Sequence, residues 1–136
     1  MSVTNKQAAI APVSPAALAA FRAASPEIIR ETVSRSMAQA DDVMQHGADA
    51  QKLLTAGLTF TTRMLDAAMS SAEIPMLEDE LCWARDRLPH DGVAPEHVLS
   101  RLAIYRDVVC SLLPAQHAGE INGYVNWMIM RQRQLL

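Results

Sequence analysis

The strongest constraint on this chain is a nine-residue break, Leu88-Pro89-His90-Asp91-Gly92-Val93-Ala94-Pro95-Glu96, set between two stretches of helical periodicity. Pro89, Gly92 and Pro95 bar a helix from running through it. Before the break, Leu77, Leu81, Ala84 and Leu88 recur at helical spacing. After it, Val98, Leu102, Tyr105, Val109 and Leu112 do the same. Two segments therefore meet at a corner, and both are expected to be helices.

The rest of the chain is punctuated in the same way. Ser14-Pro15 and Ser25-Pro26-Glu27 each place a capping serine before a proline at the first helical position. They predict a short helix over 16–23 and a longer one from Pro26. The longer one turns Ile29, Val33, Met37, Ala40 and Met44 inward, carries His46 as a C-terminal cation and stops at Gly47. The spacing predicts a further helix over 48–71. Leu54, Leu58, Thr61, Leu65 and Ala68 form its stripe, and Leu53, Phe60 and Met64 widen it, which predicts burial on more than one side. Gly57 inside it marks either a close approach by a backbone or ligand, or ordinary helix packing. Helices over 75–88, 95–113 and 115–134 complete the chain, the last burying Ile121, Tyr124 or Val125, Met128 and Leu135.

The predicted fold is all-α: a single domain of about five to six helices over 14–136, behind a flexible N-terminal arm, 1–13. Half of the residues are hydrophobic but only 4% are aromatic, a mix that suits helices packed on helices better than a sheet. A net charge of −3 without a basic stripe argues against nucleic acid as a partner. Cys82 and Cys110 give neither a disulfide framework nor a metal spacing and read as reduced, half-buried thiols. With no long apolar run and no leader-like start, the expectation is a cytoplasmic protein off the membrane. No nucleophile triad, phosphate loop or dinucleotide fingerprint is present, so a non-enzymatic role is expected.

The corner also resembles that of globins. There, Val-x-Pro-Glu opens a long helix after a short one, and Val93-Ala94-Pro95-Glu96 stands in that place here. Counting back to where a haem globin keeps its proximal histidine reaches Arg87, with Asp86 beside it. No histidine lies between Gly47 and Pro89, and iron needs an axial ligand. The resemblance is therefore to non-haem globins: phycobiliproteins with the related bilin-biosynthesis-associated globins, and the sensor globins of stressosome proteins. Phycobiliproteins carry Cys-x-Arg-Asp against the pigment. This chain has Cys82-Trp83-Ala84-Arg85-Asp86, one residue longer, with Cys82, Arg85 and Asp86 still on one helical face.

The resemblance implies a linear tetrapyrrole (bilin) cofactor, held by a carrier, sensor or chromoprotein. Asp86 would accept from the pyrrole N–H groups. Arg85, Arg87 and Arg101 would meet the propionates, and Trp83, Tyr105 and Trp127 would supply flat surfaces. Each has a plainer reading. Arg85, Asp86 and Arg87 can be a solvated face, Cys82 filler, Trp83 a contact with a neighbour helix or partner, Tyr105 core, and His97 with Arg101 a surface pair. Two rivals stand beside the bilin reading. One is a ligand-free signalling module that forms a homodimer through Trp127, Met128, Met130 and the N-terminal arm. The other is haem or cobalamin bound through His90 or His97.

Overall fold

The computed structural model describes residues 10, 12–39, 47–71, 73–91 and 94–135. These form an all-α domain of five helices, with no strand among the described residues. The helices are α1 (Pro15–Met37), α2 (Ala50–Ser71), α3 (Ile74–Arg87), α4 (Pro95–Leu112) and α5 (Ala115–Leu135). Short 3-10 turns at Gly47–Asp49 and Leu88–Asp91 lead into α2 and out of α3. No helix among the described residues is long and apolar enough to cross a membrane.

Helix α1 lies at the centre and packs on α2, α4 and α5. Its start follows the expected chemistry. Pro15 takes the first helical position, and Ser14 Oγ accepts the Ala17 N–H at 3.1 Å. The same hydroxyl donates to Glu120 on α5 at 3.1 Å, and the Ser14 N–H donates to Glu120 at 2.7 Å. Ile10 and Val13, expected in the loose arm, pack against the core, and Ile10 lies over Gly123 of α5.

At Ser25-Pro26 the structure corrects the sequence reading. One helix runs from Pro15 to Met37 with Pro26 inside it, and not two helices. Proline here removes a backbone bond to the Arg22 carbonyl, at a cost of about 3 kcal/mol. The buried stripe decides the outcome. Ala17, Phe21, Ile28, Thr32 and Ser36 lie on one face across Pro26, and a break at Ser25 would turn the second half away. Each fully buried Phe or Ile side chain contributes about 1.5–3 kcal/mol, so continuity wins. Pro26 itself faces solvent, and Ser25 Oγ donates to the Phe21 carbonyl at 2.7 Å. The helix ends at Met37, so Gly47 does not stop it. Ala40, Met44 and His46 lie outside the described residues, as do Gly92 and Val93 of the corner.

The other helices follow their apolar period. Leu54, Leu58, Leu65, Ala68 and Met69 of α2 are buried, and so are Leu77 and Leu81 of α3 and Leu102, Tyr105, Val108 and Val109 of α4. On α5, Tyr124 and Val125 are both buried, with Ile121, Met128 and Ile129. Leu112 is exposed where the sequence placed it inward, because α4 ends there and Pro114 turns the chain. Polar ties cross these interfaces. Arg22 of α1 grips Asp66 of α2 with two bonds, at 2.8 and 3.0 Å. Asn122 of α5 donates to the Arg106 carbonyl of α4 at 3.2 Å. The Tyr105 hydroxyl meets Thr62 Oγ1 at 2.8 Å inside the core.

Candidate functional site

The residues that the sequence singled out on α3 share one short helix but not one environment. Cys82 is half-buried, while Trp83 (55% exposed), Arg85, Asp86 and Arg87 face solvent. Arg85 Nε donates to the neighbouring Asp86 carboxylate at 3.0 Å, and Arg87 is engaged as well. His90 is exposed in the 3-10 turn that follows. Arg101 and His97 are half-buried on the first turns of α4, and both already have partners.

Tyr105 is wholly buried, and its phenol is pushed far above the usual tyrosine range by burial, which outweighs the bond to Thr62. It belongs to the core and presents no face to a surface slot. Trp127 is half-buried and packs against the core cluster. The α3 segment therefore offers an exposed tryptophan with a paired Arg–Asp, apart from the buried tyrosine.

Glu78, which the sequence reading did not single out, organises the Cys82 side of α3. Its carboxylate takes two bonds from Arg131 of α5, at 2.7 and 2.8 Å. That bond holds the Glu78 carboxyl below its usual range, against the opposing push of burial. The Cys82 thiol donates to the same carboxylate at 3.3 Å. This bond, and then burial, raise the thiol pKa. A thiol held protonated is a poor nucleophile, so the arrangement favours a structural Cys82 over one primed to add to a ligand. Cys110 is exposed and not half-buried as expected, and its sulfur accepts from Asn122 at 3.1 Å. Among the described residues no group of His, Cys, Asp and Glu could hold a metal ion.

The second feature is on α2, where the sequence expected burial. Leu53 is 50% exposed and Phe60 47% exposed. Together with Gly57 and the half-buried Met64 they fall at spacings of four, three and four residues. That spacing draws one apolar stripe along the outer side of the helix. The inner stripe of Leu54, Leu58 and Leu65 already faces the core. Helix α2 is thus apolar on two sides, and the described residues cover only one of them. Gly57 has nothing within 4 Å of where a Cβ would stand, so no backbone among the described residues approaches it. The width of the stripe was readable in the sequence. Its division into an inner and an outer part depends on where α1 and α3 come to lie.

The two concavities described are elsewhere. One, of about 500 Å³, lies between α1 and the start of α2, against Ile29, Val33, Met37 and Thr55. The other is a shallow surface around Ala48, Lys52 and Ala56. Neither touches the α3 residues. No known protein family, curated protein or solved structure matches the chain.

Proposed function

We propose that this chain is a non-enzymatic, non-haem helical module of globin-like kind, which works by self-association through the outer side of α2. The observation that carries this reading is the stripe of Leu53, Gly57 and Phe60, left exposed beside the side of the same helix that faces the core, with the half-buried Met64 at its end. Apolar surface exposed in a continuous line stabilises association when covered. The seam expected from sequence fits less well on α5, where Met128 is buried and Trp127 half-buried and Met130 alone of the three stands clear, while most of the N-terminal arm lies outside the described residues. Sedimentation velocity on the wild type and on Phe60→Asp is the test. A wild-type dimer that Phe60→Asp converts to a folded monomer supports the reading. A monomeric wild type at high micromolar concentration overturns it.

Binding of a linear tetrapyrrole is the second reading. The exposed Trp83 with Arg85, Asp86 and Arg87 on one end of α3 favours it, since these can offer a flat surface, a cation and an acceptor. In this reading attachment is non-covalent, given the protonated Cys82 thiol. Biliverdin added to the protein should then shift its absorption and co-elute on a sizing column, and both effects should fall in Trp83→Ala. Unchanged bilin absorption refutes it.

A further inference from the structure

The outer side of α2 has an internal symmetry that says what would cover it. Ala56 and Gly57, both exposed, sit at its centre, with Leu53 one turn before and Phe60 one turn after. Asp49 stands exposed at the N-terminal end and Arg63 exposed toward the C-terminal end, on the same flank of the stripe. Neither makes an ion pair among the described residues. Lys52 lies on that flank too, a step further round from the seam.

Laying a second α2 antiparallel on the first, with the two-fold axis between Ala56 and Gly57, gives one set of pairings. Small residues meet at the crossing, which lets the two backbones come close. Leu53 of one copy packs on Phe60 of the other, twice. On an antiparallel pair the same flanks adjoin, so Arg63 of one copy comes within one residue, about 1.5 Å along the axis, of the level of Asp49 of the other. The contact is isologous: each patch serves as its own complement. A parallel pairing would instead put the Asp49 and Arg63 flanks of the two copies on opposite sides of the seam, where neither pair could form.

Resting on the self-association reading above, we infer that the occupant of this surface is a second copy of the chain, docked antiparallel through α2, with Leu53–Phe60 contacts and Asp49–Arg63 ion pairs, each formed twice. The Asp49–Arg63 pair specifies direction and register, while the apolar stripe supplies the attraction.

Charge reversal in the full chain tests this. Asp49→Arg and Arg63→Asp should each weaken the dimer on the order of tenfold in Kd, since each creates two like-charged contacts. The double variant Asp49→Arg/Arg63→Asp should recover wild-type association, because both pairs re-form reversed. Asp49 also serves the N-terminus of α2, but Arg63→Asp cannot repair that effect, so recovery reports the intermolecular pair. If Phe60→Asp dissociates the dimer while neither charge reversal weakens it, or if the double variant is no tighter than the singles, the antiparallel register is wrong and self-association stands. A monomeric wild type overturns both.

Discussion

The bond between Tyr105 and Thr62 allows the packing of α4 on α2 to be tested without touching any exposed surface. Tyr105 is wholly buried, Thr62 is 7% exposed, and their hydroxyls stand 2.8 Å apart. The two ends of the bond are not equivalent. In Tyr105→Phe, Thr62 keeps a rotatable hydroxyl that can turn to the Leu58 carbonyl one helical turn back. Thr55, Thr59 and Thr61 already donate in that way on the same helix, at 2.8, 2.7 and 3.1 Å. The loss should therefore stay near that of one ordinary hydrogen bond, about 1 kcal/mol. In Thr62→Val the phenol is fixed by its packed ring and has no such escape, so a buried polar group is stranded at a cost of about 2 kcal/mol. Removing both partners leaves nothing unpaired, and the double variant should lose about 1–1.5 kcal/mol, well short of the summed singles. Urea unfolding followed by far-UV circular dichroism measures all four proteins, at one fixed concentration because association adds to stability. Additive losses, or a Thr62→Val variant as stable as wild type, would refute the reasoning.

Three other outcomes follow from features of the fold. Pro26→Ala restores an N–H to the Arg22 carbonyl inside a continuous helix and should stabilise the protein by about 1–3 kcal/mol in thermal unfolding; a loss would mean the proline is needed for the path of α1. Glu78→Gln weakens the grip of Arg131 and should cost about 1–3 kcal/mol, while speeding alkylation of Cys82 at neutral pH. Because Arg131 lowers the Glu78 pKa, its contribution is present above the ordinary carboxylate range and fades as pH falls through the lowered value. The stability gap between wild type and Glu78→Gln should therefore close in acid, and a gap independent of pH would sink the assignment. Burial raises the pKa of both Tyr105 and Tyr124, so the native state resists ionisation that the unfolded chain undergoes near pH 10. Stability should fall above about pH 10, by up to about 1.4 kcal/mol per pH unit for each tyrosine, and absorbance at the tyrosinate band should lag until unfolding.

Much of the fold was legible because proline and apolar period act locally. Ser14-Pro15, Pro95-Glu96 and Pro114 mark helix limits that the structure keeps. Ser25-Pro26 misled because a local signal met a tertiary one. The cost of the internal proline is set by one turn, whereas the benefit comes from Phe21 and Ile28 reaching the same core. The candidate site was less legible for the same reason. The positions of Cys82, Arg85 and Asp86 on one helix can be counted along the sequence. That Glu78 would hold the thiol, and Arg131 hold Glu78, depends on a contact across 53 residues. Phe60 shows the limit from the other side: its period places it beside a broad apolar stripe, and only the arrangement of neighbours decides that it faces out.

The bond from Ser14 to Glu120 spans 106 residues, and this separation bears on how the chain is made. As the polypeptide emerges, α1 can form its own cap, but the carboxylate that anchors that cap belongs to the last helix. An isolated helix with few stabilising partners is marginal in water. Helix α1, the hub on which three others pack, can dock on α2 and α4 as they emerge, but its N-terminal cap gains its anchor only when α5 has formed. Truncation before Glu120 should therefore loosen the start of α1 as well as remove α5, and nascent chains that lack α2 and α4 should expose the Phe21–Ile28 face to chaperones.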